Sequence, residues 1–380
     1  MRVGDSDKDK ESMAAISDLH LPDLSVKGFR GIKDLTISRL GRVTLFAGKN
    51  GVGKTTLLDA VRLYAACGSS AVLTDILRNR EELTDTVNED GNEVLTPNKE
   101  ALFHGRHPSP EARISIGPLS LSKTLTIEIA PLSEERFRQL KMFSDRRIDI
   151  SVQSLKIEFQ GVTQEVPMAH VPRSFRHRLL RYDESEILPE IRCESLGPGI
   201  LSNSNLARLW DKVALTDDES RAVKALQLIY GDKAARVAVV GDERRSRYSR
   251  RIVVKIKDQE RPVTLKSLGD GAVRLFGVAL ALANSQGGFL LIDEVENGIH
   301  HSIQPDFWKM VLRTAHENNV QVLATTHGWD CVAGFARAAT DLGEVEGTLV
   351  RLEQDGEKIR AIEYSEDDLN IAAEQGIEVR

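Results

Sequence analysis

The stretch Gly48-Lys-Asn-Gly-Val-Gly-Lys-Thr55 has the spacing G-x-x-x-x-G-K-[ST]. The apolar run Leu45–Ala47 predicts a buried strand before it, and Lys54–Cys67 has apolar residues at helical spacing after it. Glycines let backbone N–H groups turn toward a phosphate, and the N-terminus of the following helix adds the positive end of its dipole. The stretch therefore predicts a phosphate-binding loop between a strand and a helix, as in an α/β fold.

The residue types of this loop indicate a nucleoside triphosphate as the ligand. Lys54 can reach the β- and γ-phosphates, and the Thr55 hydroxyl can ligate Mg²⁺. A chance glycine-rich turn is the alternative, but spacing, the Lys-Thr pair and the strand-turn-helix context agree. We therefore predict ATP and Mg²⁺ as cofactors, and the loop residues assigned to nucleotide binding are Gly48, Asn50, Gly51, Gly53, Lys54, Thr55 and Thr56.

A second apolar run, Phe289–Ile292, ends in two carboxylates. Ligands of open α/β sheets bind at the carboxyl ends of strands, so Asp293 and Glu294 are expected near the phosphate loop. Asp293 would join Thr55 in holding the metal, through water, and Glu294 would polarise the water that attacks the γ-phosphate. We predict Lys54 and Glu294 as catalytic residues and Thr55 and Asp293 as metal residues.

Two further stretches of sequence add residues to the predicted nucleotide site. Ser267-Leu-Gly-Asp-Gly271 precedes an apolar helix and resembles the signature motif of ABC-type ATPases, which clamps the γ-phosphate held by the opposite subunit; Ser267, Gly269 and Gly271 are assigned to the nucleotide on that basis. Ala324-Thr-Thr-His327 follows a buried strand and resembles the switch histidine, so His327 is the third predicted catalytic residue. An ordinary helix cap and a structural histidine are the alternatives.

With these strings the chain resembles the RecF, SMC and OLD branch of ABC-type ATPases, particularly short AAA members without long coiled coils. Phe29-Arg-Gly-Ile-Lys-Asp-Leu35 is similar to the N-terminal strand and bend of that branch, and Asp293-Glu-Val-Glu-Asn-Gly-Ile-His300 to its acidic strand end and dimer loop. The resemblance implies a head-to-tail dimer, or a larger even-numbered assembly, around two ATP-Mg²⁺. It also implies that Arg30 approaches the nucleotide, with a solvated surface arginine as the alternative.

The sequence departs from the branch at two points. Gly328 follows His327 where the family usually has Ser, which leaves out a second hydroxyl contact. The family's Gln-containing loop has only nominal candidates here, Gln153 and Gln160.

The predicted fold class is α/β: an ABC-type P-loop ATPase head domain with a largely parallel core sheet, an antiparallel β subdomain and an inserted α+β region. The segments that we predict are a mobile tail at 1–21, the first part of the ATPase lobe at 22–67, the inserted region at 68–265, the second part of the lobe at 266–340, and a C-terminal hairpin and helix at 341–380.

The charge composition limits how the chain could bind DNA. Fifty-one Lys and Arg against 57 Asp and Glu leave a net charge of -6, so DNA would need a local patch, for which Arg173–Arg181 and Arg244–Arg251 are candidates. Solvated surface runs are the alternative.

No apolar run approaches the roughly 20 residues of a membrane span, the N-terminus resembles no secretory signal, and three scattered cysteines indicate reduced thiols. We expect a cytoplasmic protein that does not enter a membrane.

The leading functional hypothesis is an ATPase that converts ATP and water to ADP and phosphate and acts as a dimeric switch. By family analogy it would sense or grip DNA, or control a separate effector such as a nuclease or toxin, in anti-phage defence or DNA repair. Many OLD relatives carry a Toprim nuclease after the ATPase, whereas 53 residues follow His327 here. The alternatives are an energy-coupling subunit of a transporter, a P-loop small-molecule kinase and a non-catalytic assembly protein.

Overall fold

The computed structural model describes residues 19–87, 92–120, 123–135, 137–138, 153–168, 190–241, 250–257, 259–343, 345, 347–356, 358–364 and 368. Within these ranges no helix has the length and apolar character that a membrane span requires. The strands are β1 (Leu24–Phe29), β2 (Ile32–Ile37), β3 (Val43–Ala47), β4 (Leu83–Val87), β5 (Glu93–Pro97), β6 (Arg113–Gly117), β7 (Leu125–Pro131), β8 (Gln153–Phe159), β9 (Val162–Pro167), β10 (Cys193–Leu196), β11 (Ala234–Gly241), β12 (Arg250–Ile256), β13 (Val263–Thr264), β14 (Phe289–Ile292), β15 (Gln321–Thr325), β16 (Gly347–Asp355) and β17 (Lys358–Tyr364). The longer helices are α1 (Lys54–Ala65), α2 (Ser70–Asn79), α3 (Asn203–Val213), α4 (Asp217–Tyr230), α5 (Asp270–Asn284), α6 (Gln304–Glu317) and α7 (Trp329–Leu342).

A six-stranded sheet in the order β10-β14-β15-β3-β16-β17 forms the centre of the fold. Its first five strands are parallel, and β17 closes the edge as an antiparallel hairpin with β16. Strands β3, β14 and β15 are buried along their whole length, as expected for parallel strands covered on both faces. The predicted parallel core and the predicted C-terminal hairpin are both present, and the hairpin is part of the core sheet.

The two faces of this sheet belong to two hydrophobic cores. Successive side chains of a strand point to opposite faces, so Leu290 and Ile292 of β14 lie in one core and Leu291 lies in the other. The core that contains Leu290 is shared with α3 to α7. The core that contains Leu291 is shared with α1 and with a second sheet. Helix α1, which starts at the phosphate loop, is therefore packed between the two sheets.

The second sheet is antiparallel, with strand order β2-β1-β6-β7-β8-β9. Strand β1 pairs with β6 through Ser25 opposite Gly117, which joins the N-terminal hairpin to strands of the predicted insert. Strand β10, also in that segment, pairs with β14 in the core sheet. Strands of the predicted inserted region at 68–265 therefore complete both sheets, which the sequence analysis did not predict because periodicity does not reveal pairing between distant strands.

Several local predictions agree with the structure. Within the inserted region the residue pattern predicts helices at 71–82, 134–142, 206–213 and 218–229; the first, third and fourth correspond to α2, α3 and α4. The helix after the phosphate loop ends at Ala65 instead of about Cys67. The helix expected at 134–142 and the acidic helix expected from about Asp367 lie largely outside the described residues.

The N-terminal boundary differs from the prediction. Leu21, assigned to the tail, is fully buried. Its backbone N–H donates to Gln321 Oε1 at 3.0 Å, and its carbonyl accepts from Gln321 Nε2 at 2.6 Å. Residues 19–21 are therefore part of the described fold, and residues 1–18 of the predicted tail lie outside the described residues.

Candidate functional site

The phosphate loop leaves the end of β3 and enters α1. Gly48 has φ 146°, and a Cβ there would lie 2.5 Å from the carbonyl oxygen of Leu352, so only glycine fits. Gly51 and Gly53 have φ values of 80° and 100°, which other residues rarely adopt. Asn50 and Gly51 are exposed, and Gly53, Thr55 and Thr56 are partly exposed. The loop is thus built as the glycine spacing predicts.

Lys54, the first residue of α1, points back into this loop and is 7% exposed. Its Nζ donates to the carbonyl oxygens of Gly48, at 2.6 Å, and Lys49, at 3.0 Å. Burial lowers the pKa of the Lys54 ammonium, and the carboxylates of Glu296, Asp293 and Glu294 act in the opposite direction. An ammonium held in a loop of backbone donors is suited to anionic phosphate oxygens.

The predicted metal residues meet at the strand ends. Thr55 Oγ1 donates a hydrogen bond of 3.1 Å to Asp293 Oδ1, and Thr325 Oγ1 donates one of 2.6 Å to the same oxygen. Mg²⁺ prefers oxygen ligands, usually one or two from the protein together with phosphates and water. The adjacent hydroxyl and carboxylate oxygens of Thr55 and Asp293 fit that requirement.

Glu294 is held through both its backbone and its carboxylate. Its backbone is left-handed, with φ 46°, which is uncommon for a residue other than glycine and is often found at functional sites. Its N–H donates to Thr325 Oγ1 at 2.8 Å, and its carboxylate Oε2 accepts from Asn297 Nδ2 at 2.8 Å. The neighbouring carboxylates of Asp293 and Glu294 therefore have different partners.

Arg274 of α5 is a site residue that the sequence analysis missed. It is 4% exposed, and its guanidinium donates to the carbonyl oxygens of Gly197 at 2.6 Å, Asp293 at 2.6 Å and Glu294 at 3.0 Å. Burial lowers its pKa, against the influence of the nearby carboxylates. The signal in the sequence was a single arginine within the apolar run of α5, since a buried charge in such a helix needs polar partners.

The signature turn precedes α5 and faces outward. Ser267 and Gly269 are exposed, and the Ser267 hydroxyl lies 2.6 Å from Thr264 Oγ1. The Tyr230 hydroxyl donates to the Leu268 carbonyl and supports the turn from α4. Behind the turn, a Cβ on Gly271 would lie 2.6 Å from the carbonyl oxygen of Gly298. The start of α5 is therefore in contact with the loop that follows Glu294.

His327 follows β15 and is partnered by Glu296, another residue that the sequence analysis did not assign. Glu296 Oε1 accepts from the backbone N–H groups of His327, at 2.8 Å, and Gly328, at 3.1 Å. The same oxygen lies 3.1 Å from His327 Nδ1. The signal that could have identified Glu296 is a third carboxylate within four residues of the Asp293-Glu294 strand end.

The remaining predictions have different outcomes. Arg30 forms a two-point ion pair with Glu82, in which both side chains are largely buried. Its assignment to the nucleotide is therefore not supported, because the guanidinium is already bound within the fold. Gln153 and Gln160 are exposed at the ends of β8, in the antiparallel sheet.

The basic runs contribute little to the described structure. Arg173–Arg181 and residues 242–249 lie outside the described residues. Arg250, the next residue of the second run, forms an ion pair with Asp211. DNA binding through either run stays a prediction.

The chain is similar to several known proteins. It is 19% identical over 335 residues to an "ATP/GTP phosphatase" of Helicobacter pylori, which covers 82% of this chain and 86% of the relative. It is 31% identical over 114 residues to an uncharacterized protein of Methanocaldococcus jannaschii, which covers 30% of this chain and 99% of that protein.

Two solved structures are also similar. An SMC head bound to the C-winged helix domain of ScpA has a TM-score of 0.48 and 13% identity, covering 91% of this chain and 98% of that one. The SMC head domain from Thermotoga maritima has a TM-score of 0.41 and 13% identity, covering 91% of this chain and all of that one.

The family match covers the candidate site. The family is described as "AAA domain, putative AbiEii toxin, Type IV TA system", and its model matches residues 43–327, from the strand before the phosphate loop to His327. The predicted membership of an ATPase family is confirmed by this match. The chain belongs to this AAA family, within the AAA/ABC-type ATPases that its motifs resemble.

Proposed function

We propose that the chain binds ATP with Mg²⁺ and hydrolyses it to ADP and phosphate. The observation that carries this proposal is the hydrogen bond between Thr55 and Asp293, which joins the phosphate loop to the acidic strand end. The H. pylori relative, named an ATP/GTP phosphatase, supports nucleotide hydrolysis by this chain. Its name also makes GTP a second nucleotide to test.

Each group around this bond has a chemical role. Lys54 and the backbone N–H groups of the loop hold the β- and γ-phosphates, while Thr55 and Asp293 hold the metal. Bound Mg²⁺ neutralises charge on the phosphate oxygens. Phosphate oxygens would replace the carbonyls of Gly48 and Lys49 as acceptors of the Lys54 ammonium. The number of hydrogen bonds would stay the same, and the ammonium would gain an anionic partner.

Glu294 acts as the general base. Its carboxylate follows the metal residue Asp293 directly, and one of its oxygens is held by Asn297. The other oxygen is left to orient and deprotonate the attacking water. The left-handed backbone at Glu294, the hydrogen bond that its carbonyl accepts from Arg274 and the one that its N–H donates to Thr325 set where that carboxylate lies.

A second copy of the chain completes the site. The exposed Ser267 and Gly269 are suited to contact a nucleotide held by another molecule, and the start of α5 offers backbone N–H groups to its γ-phosphate. In a head-to-tail dimer each chain would supply the phosphate loop of one site and the signature turn of the other.

ATP binding and release in this dimer would switch a separate effector. The family description names a toxin and a type IV toxin–antitoxin system, which supports a role in controlling a harmful activity, as in anti-phage defence. The family resemblance also supports DNA as a ligand that such a switch would sense or grip.

The test is phosphate release by the purified chain in water enriched in ¹⁸O. With ATP or GTP and Mg²⁺ we expect released phosphate that carries one oxygen from water, and no release when EDTA removes the metal. Phosphate transfer to an added small molecule, without water-derived oxygen, would contradict the proposal and favour the kinase alternative.

A further inference from the structure

Glu296 is placed to control the orientation of His327. One of its carboxylate oxygens, Oε1, accepts from the backbone N–H groups of His327 and Gly328 and lies 3.1 Å from His327 Nδ1. The contacts cross from the loop after β14 to the loop after β15, two neighbouring strands of the core sheet. A single side chain thus holds both the backbone and the ring of the histidine.

These contacts determine which ring nitrogen is available. Because Nδ1 lies 3.1 Å from a carboxylate oxygen that can only accept, the tautomer with the proton on Nδ1 is favoured, and this N–H is directed at Glu296. Nε2 is then the ring nitrogen left for another partner. His327 is 44% exposed, so its ring is open to a ligand at the strand ends.

The environment of Glu296 adds a second, independent observation. Its other oxygen, Oε2, is buried and has no hydrogen-bond partner among the described residues. The negative charge acts on Lys54, whose pKa it raises more than Asp293 or Glu294 does, although burial lowers that pKa overall. A buried carboxylate oxygen without a hydrogen-bond partner lowers stability, so its presence indicates a role of Glu296 besides fold stability.

We propose that Glu296 is a positioning residue that holds His327 with Nε2 directed at the γ-phosphate oxygens of bound nucleotide. It acts through His327 and does not touch the nucleotide. When a phosphate oxygen binds beside Nε2, this nitrogen takes up a proton from solvent, so that both ring nitrogens donate hydrogen bonds, one to Glu296 and one to the phosphate. This inference rests on the proposed ATPase function and adds to it the residue that orients the switch histidine.

The first test is kinetic. Glu296→Ala is expected to lower kcat for ATP by about 10- to 100-fold, with KM changed by less than about 3-fold, because the chemical step loses an oriented group while nucleotide binding stays. Glu296→Gln keeps an accepting oxygen and should recover most of kcat. The matched control is Glu134→Ala, which truncates a glutamate that is 88% exposed. An unchanged kcat in Glu296→Ala would overturn the proposal.

A double-mutant cycle shows whether Glu296 acts through His327. If it does, adding Glu296→Ala to His327→Ala lowers kcat no further than His327→Ala does alone. If the two losses multiply, the positioning role is wrong. Thermal unfolding of each variant, without nucleotide, identifies any variant that fails to fold, and Glu296→Gln then supplies the comparison.

A spectroscopic test separates this inference from the proposed ATPase function. The ¹⁵N chemical shifts of the histidine rings, with His327 assigned by its absence in His327→Gln, should show a protonated Nδ1 in the wild-type chain. In Glu296→Ala the proton should move largely to Nε2, and in Glu296→Gln it should stay on Nδ1. These shifts need no nucleotide, so an inactive wild-type chain with the expected shifts would refute only the ATPase proposal. Identical shifts in wild type and Glu296→Ala would refute the positioning role.

Discussion

Thr55 Oγ1 lies 3.1 Å from Asp293 Oδ1, although 238 positions separate the two residues in the chain. Thr55 is in the first turn of α1, and Asp293 follows the last residue of β14. They meet because β3, which leads into the phosphate loop, and β14 run parallel in one sheet with only β15 between them. Both strands therefore end at the same edge, where ligands of open α/β sheets bind.

Replacing Glu294 by Gln should separate nucleotide binding from turnover. The amide cannot accept the proton of water, so the hydrolysis rate should fall by about 10²- to 10⁴-fold, while Lys54 and Asp293 still hold the nucleotide. Trapped ATP should also stabilise the head-to-tail dimer. Light scattering behind a sizing column should show a mass that doubles with ATP-Mg²⁺, or a larger even-numbered assembly. Normal hydrolysis would refute the general-base role, and an ATP-bound monomer would refute the dimer.

Replacing Lys54 by Met should abolish ATP binding without destabilising the nucleotide-free protein. Folding buries the Lys54 ammonium and lowers its pKa, so the charged form is less favoured in the folded than in the unfolded chain. This destabilisation of the folded state is present while the lysine of the folded chain is protonated. It disappears as pH rises through the lowered pKa. At neutral pH the unfolding midpoint of Lys54→Met should therefore equal or exceed that of wild type. Only wild type should gain stability from ATP-Mg²⁺, and a clearly lower midpoint would contradict this account.

Replacing Ser267 by Arg should block turnover but not binding. The exposed signature turn would no longer accommodate the nucleotide of the other copy, while the phosphate loop of the same chain is unchanged. Mixing this protein with Lys54→Met protein should restore activity to no more than about a quarter of the wild-type rate, since half of the dimers are mixed and each has one intact site. Measurement of phosphate release from the mixture checks this, and no recovery would count against composite sites.

Replacing Arg274 by Met should reduce both stability and catalysis. The carbonyls of Gly197, Asp293 and Glu294 would lose their shared donor inside the fold. We expect the free energy of unfolding to fall by about 2–4 kcal/mol, measured by denaturant titration, and kcat to fall because the backbone at Glu294 is released. The exposed Arg337 offers a matched control, and Arg337→Met should be close to wild type. Equal stability of the two variants would show that Arg274 does not hold the strand end.

The success of the sequence predictions depends on how far apart in the chain the interacting residues are. Local patterns predicted the phosphate loop, α1, the buried strands β3, β14 and β15, and the β16–β17 hairpin, because helical and strand periodicity depend on neighbouring residues. The rule that ligands bind at the carboxyl ends of parallel strands also predicted correctly that Thr55 and Asp293 lie close together. The prediction for Arg30 had no comparable support, because its ion pair with Glu82 depends on how two distant segments pack.

The sequence alone therefore predicted the chemistry of the site: a phosphate loop, an acidic strand end, a signature turn and a histidine after a buried strand. The tertiary structure decided which strands share a sheet, so that β6 to β9 join the N-terminal hairpin and β10 joins the core. It also decided that Glu296 holds His327 and that Arg274 holds the backbone of Asp293 and Glu294. The physical reason is that such contacts join residues on different elements, and their geometry is set only when those elements pack into a common core.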